Sequence, residues 1–149
     1  MRPAVLISIV VATSVIGLAC AVKPKAATTR IVAVPEAGLP VVFVTANAEQ
    51  ERVVQSLQAS GIEVTGRIRD AEFLLTANLG NDWVASSEPC GPIRNVKFEL
   101  RQNSKLVMLS KAKGWTGTCT PNVLDELSAE VARLILVSGP APSSEDGLD

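Results

Sequence analysis

The chain has no histidine and no tyrosine among its 149 residues, and only 3% of it is aromatic. Without an imidazole, neither a Ser-His-Asp nor a Cys-His arrangement can be assembled, so the commonest routes to an activated nucleophile are closed. The three cysteines, Cys20, Cys90 and Cys119, include no Cys-x-x-Cys pair. Two or three scattered thiols with no histidine do not make a zinc site, so no metal and no cofactor are expected. Basic and acidic residues nearly cancel, 14 against 15, which does not suggest the footprint of a nucleic-acid binder. Asp70, Glu72, Asp82 and Glu88 supply carboxylates, yet any surface offers such a set and their spacing marks no hydrolytic pair. Gly114-Trp115-Thr116-Gly117 lacks the later glycine-lysine of a phosphate loop. The expectation is a protein that is not an enzyme, with a histidine-free hydrolase kept as the remaining alternative.

Charge is also missing from the start of the chain. After Met1 and Arg2 no charged residue occurs before Lys23, and Ala4 to Ala19 is an apolar run closed by Gly17-Leu18-Ala19-Cys20. One basic residue, a greasy core and small residues at its end make a secretory signal. The final four residues resemble the lipobox of bacterial lipoproteins. That resemblance implies removal of residues 1–19, a diacylglycerol on the Cys20 thiol, and palmitate on the new amino terminus. It places the protein on a membrane of the bacterial cell envelope, inner or outer, facing the periplasm. Two other readings stay open. Ala19-Cys20-Ala21 is also an Ala-x-Ala site for ordinary cleavage, which would release a soluble periplasmic protein. Pro3 to Val22 also reaches the roughly 20 apolar residues that span a bilayer uncut. Lys23, Lys25 and Arg30 would then favour a cytoplasmic body.

Residues 20–39 read as a lipidated cysteine and tether, with Lys23-Pro24-Lys25 and a short edge strand allowed at Ile31–Val34. Residues 139–149 are rich in Pro, Ser and acid and read as a disordered tail. Between them, residues 40–138 form one domain with one core.

Inside that domain, Pro40 to Thr45 is a β-branched apolar run expected of a strand buried on both faces. Asn47 with Gln50 suggests a capping box, Val53, Val54 and Leu57 a helical stripe, and Gly61 its left-handed end. Ile62, Val64, Gly66 and Ile68 alternate with Glu63, Thr65, Arg67 and Arg69 as a half-buried strand. Strand, helix and strand in that order suggest a right-handed parallel crossover. Phe73, Leu75, Ala77 and Leu79 share one face of the next strand. Val96, Phe98 and Leu100 do the same in another, and Leu106 to Ala112 returns after a turn at Gln102–Ser104. Thr120 with Pro121 opens a last helix whose stripe is Leu124, Leu127, Val131, Leu134 and Ile135, stopped by Gly139-Pro140. The predicted fold is α/β, a mixed sheet in β-α-β-β-β-α order with two helices on one face. In Asp70-Ala71-Glu72-Phe73-Leu74-Leu75 and the elements around it, the pattern resembles the group containing the TolB amino-terminal domain and the curli-secretion lipoprotein.

Cys90 and Cys119 remain as an even pair once Cys20 is assigned to lipid, and an exported protein meets oxidant. A meander brings their two loops to one end of the sheet, so a disulfide is expected there. Trp83 and Trp115 fall in the same two connections among small polar residues. They form the candidate binding surface, or else a cover over the disulfide and core. Lys97, Arg101, Lys105, Lys111 and Lys113 cluster on the hairpin, as a surface for anionic lipid or cell-wall polymer or as an ordinary solvated face. Function is therefore expected to be that of a membrane-anchored accessory module binding an envelope protein. The alternative is a glycan- or cell-wall-binding module using Trp83, Trp115 and the basic hairpin.

Overall fold

A computed structural model describes residues 28–138. The signal, Cys20, Lys23 and Lys25, the Gly139-Pro140 stop and the tail lie outside the described residues.

Alternation of apolar and polar residues sets which face of each strand is buried. The strands are β1 (Thr28–Ile31), β2 (Val41–Ala46), β3 (Glu63–Val64), β4 (Phe73–Leu79), β5 (Gly91–Gln102) and β6 (Lys105–Thr116). They form a single mixed sheet in the order β1-β6-β5-β4-β2-β3. β2 runs parallel to β3 and β4, while the β4–β5, β5–β6 and β1–β6 pairs are antiparallel. Cross-strand register lines up the buried side chains in rows. Val44, Leu75, Leu100 and Met108 make one, and Ala77 and Phe98 stand in the next. Helices α1 (Gln50–Ala59) and α2 (Val123–Val137) pack on each other over this face. Val53 and Leu57 from α1 and Leu124, Leu127, Val131 and Ile135 from α2 complete the core. The α/β architecture with both helices on one face is as the periodicities predict. The order, however, is β-β-α-β-β-β-β-α and not β-α-β-β-β-α: β1 adds an edge strand, and four strands, not three, separate the helices.

Four local features differ from the sequence reading. Asn47 does not cap α1. Its side chain donates to Leu79 O and accepts from Leu79 N, both at 2.8 Å, standing in for one more rung of the β2–β4 ladder. Glu49, at φ 55°, occupies the cap position without a capping hydrogen bond. The alternation at Ile62–Ile68 yields only the two-residue β3. Val64 and Phe73 both align with Val42, on opposite sides of β2. The chain must therefore turn back at once after Val64, and it crosses through the short 3-10 turn Ile68–Asp70 with Ile68 exposed. At α2, Asn122 is the cap, accepting from Leu124 N at 2.9 Å, two residues beyond Thr120. The edge strand lies at Thr28–Ile31, three residues before the stretch expected.

Other signals hold. Gly61 (φ 88°) ends α1 with Ile62 N bonded to Leu57 O and Gly61 N to Gln58 O, the paired closure of a helix C-terminus. Asn103 and Ser104, both at positive φ, form the two-residue turn joining β5 to β6. The buried Gln102 side chain accepts from Glu36 N and donates to Glu36 O and Glu72, pinning the segment after β1 against the sheet.

Candidate functional site

The β4–β5 loop and the β6–α2 connection meet at one end of the sheet. Cys90 and Cys119 are bonded there, with Cα atoms 4.7 Å apart, inside the range a disulfide requires. Cys119 is buried and Cys90 exposed. Backbone bonds knit the loops around the bridge. Thr118 N donates to Glu88 O at 3.0 Å, and Val84 N donates to Thr116 Oγ1 at 3.2 Å. Gly117 makes the crossing possible. At φ 69°, any Cβ there would sit 2.7 Å from the carbonyl oxygens of Glu88 and Pro89.

The two tryptophans occupy different environments at this end. Trp83 lies in the tight turn after β4, its N–H on Gly80 O at 3.2 Å, and is 38% exposed. Trp115 is not in a connection, because β6 continues to Thr116. It stands opposite Pro92 within the strand and is half-buried. Gly114, its neighbour, faces Val123 of α2, so alternation puts Trp115, Lys113 and Lys111 on the face without helices.

That open face carries most of the hairpin's cations. Lys97 contacts Glu99 at 2.5 Å and Arg101 approaches it at 3.6 Å. The hydrogen bond from Lys97, with the charges of Lys97 and Arg101, holds the Glu99 carboxyl below its ordinary range against the opposing effect of burial. Lys111 pairs in register with Lys97, and Lys105 lies apart at the hairpin tip. A bulge between Ile93 and Val96 interrupts β5, and Arg94, Asn95 and Val96 there border a trough of about 700 Å³. Its lining includes Thr28, Asn78, Arg94, Lys97, Lys111 and Lys113. Sequence reasoning missed Arg94 and the trough. β5 begins at Gly91, before its alternation becomes regular at Val96, and the bulge erases the period that would have revealed it. A second hollow, about 490 Å³, lies between β6 and α2 beside Glu126, Glu130 and Arg133.

The carboxylates do not converge. Asp70 and Glu72 precede β4 while Asp82 and Glu88 follow it, so a seven-residue strand, about 20 Å long, separates the two pairs. Among the described residues there is no cluster of three or more His, Cys, Asp or Glu suited to a metal, and no helix long and apolar enough to cross a membrane.

No protein-family model matches the chain, and no curated protein does. Solved structures similar to it include PelC of Paraburkholderia phytofirmans, crystallised as a dodecamer. PelC is 19% identical over 74% of this chain and 98% of that one, with TM-scores of 0.48 and 0.47 in two crystal forms. A minor lipoprotein of Acinetobacter baumannii is 15% identical over 66% of this chain and 93% of its own, with a TM-score of 0.37. Likenesses of this degree assign no function.

Proposed function

We propose that the chain is a lipid-anchored, non-enzymatic accessory module of the bacterial envelope that faces the periplasm and binds a protein partner. The anchor rests on the signal ending at Cys20, and the Cys90–Cys119 bridge suits an oxidising compartment. The observation that carries the binding reading is the β1 edge. Among the described residues β1 has one hydrogen-bonded neighbour, β6, and the segment from its end onward exposes large apolar side chains. Ile31 is 49% exposed, Val34 83% and Leu39 71%. α2 is held beside β1 by the Thr29–Glu130 hydrogen bond, and it exposes Leu136 and Val137 in its last turn. An unpaired strand edge bordered by apolar residues is a template for a partner's strand or apolar face.

A photo-crosslinking residue at Val34, in the native envelope, should give one dominant adduct, while the same residue at the exposed Gln58 of α1 should not. Equal or absent adducts at the two positions would refute the edge as a binding surface. A glycan-binding reading has one observation in its favour, the exposure of Trp83 beside Asn81 and Asp82. It requires that Trp83→Ala abolish retention on cell-wall polymer without changing the melting temperature.

A further inference from the structure

Resting on the reading of Cys20 as acylated, we propose that the basic trough beside Thr28 is the surface on which the domain sits against the bilayer, its cations meeting lipid phosphates. Only residues 21–27 separate Cys20 from Thr28. Even fully extended, that tether reaches at most about 29 Å. Thr28 begins β1, pairs with Lys111 and lines the trough. The part of the domain held nearest the acyl chains is therefore the part where Arg94, Lys97, Lys111 and Lys113 gather.

The charge there is only partly neutralised from within. Glu99 engages Lys97, and Asp82 accepts from the backbone N–H of Arg94. Among the described residues, Lys111 and Lys113 take part in no ion pair, and both are exposed. Each basic side chain close to an anionic leaflet favours contact by roughly fivefold. Trp115 follows two residues beyond Lys113 on the same face, and an indole with one apolar and one polar edge suits the headgroup layer. Contact through the open face leaves the helix-covered face, with Leu136 and Val137 of α2 exposed, turned away from the membrane. The proposed partner surface stays accessible.

The test uses the full, acylated chain in vesicles of phosphatidylcholine alone or of phosphatidylcholine and phosphatidylglycerol in equal amounts. The rate of amine acylation at each lysine is read by mass spectrometry, with Lys105 as the internal reference. Lys111 and Lys113 should react roughly fivefold more slowly on the anionic vesicles, and raised salt should restore their rate. Lys105 should not change. In a Trp83→Phe background, energy transfer from Trp115 to a dansyl headgroup should rise on anionic vesicles, and Lys111→Glu with Lys113→Glu should remove that rise. Equal labelling on both vesicle types would overturn the proposal. So would protection on neutral vesicles by inorganic phosphate alone, which would mark a small-anion pocket. A chain that carries no acyl group on Cys20 and leaves the vesicles refutes the lipid anchor itself, and this proposal with it.

Discussion

At the scale of single residues, the core and Ser128, the one buried side chain left unsatisfied among the described residues, make opposite predictions. Leu127 is 1% exposed and belongs to the core cluster that the helices share with the sheet. Leu127→Ala should cost about 2–5 kcal/mol in denaturant unfolding, because packed neighbours collapse only partly into the space. Ser128 is also fully buried, yet its Oγ has no hydrogen-bond partner. Ser128→Ala removes an unpaired polar atom at little cost in volume, so it should leave stability unchanged or raise it by up to about 1 kcal/mol. Glu99 supplies a pH signature. Its folded-state pKa is depressed, chiefly by Lys97, so its contribution is present above the usual carboxylate range and is lost as pH falls through the lowered value. Glu99→Gln should therefore be less stable than the parent near neutral pH, the two converging in acid and in high salt. A gap that persists at low pH would show that the carboxylate charge is not what matters there.

Among the elements, those written as long periodic runs were legible in the sequence, and those decided by long-range register were not. The rows built on Phe73, Leu75, Val96, Phe98, Leu127 and Val131 follow directly from periods of two and three to four residues. The length of β3 does not. It is set by where β4 re-enters beside Val42, a fact about pairing that the alternation at Ile62–Ile68 cannot express. Asn47 illustrates the same limit. A side-chain amide ahead of a helix can cap it or bond a neighbouring strand, and only the position of Leu79 decides. At the loop end, the disulfide followed from topology, whereas the trough depended on a bulge with no sequence period of its own. The bridge closes a loop between residues 29 apart, so Cys90→Ser with Cys119→Ser should lose roughly 3–4 kcal/mol in the chain-entropy model. Trp83 and Trp115 then separate lid from surface. Stability lost in Trp83→Ala with Trp115→Ala marks the rings as packing over this end, and partner capture lost from a stable protein marks them as a binding surface.

Taken whole, the described molecule is a six-stranded sheet with helices on one face only. Helices cover one face, the trough beside Thr28 lies on the other, and the apolar segment after β1 runs toward the hairpin tip. The proposed function reads this layout as a domain held on one surface and read on another, and that proposal depends on a lipid at Cys20. Lys23 and Lys25 should matter little for anchoring, since acyl chains supply most of the affinity. The most direct measurement is incorporation of labelled palmitate into the chain in a bacterial host, with membrane fractionation of the parent and of Cys20→Ser. The account predicts label and membrane recovery for the parent, and neither for Cys20→Ser. Label that survives the substitution, or a parent chain that takes up none, would contradict it.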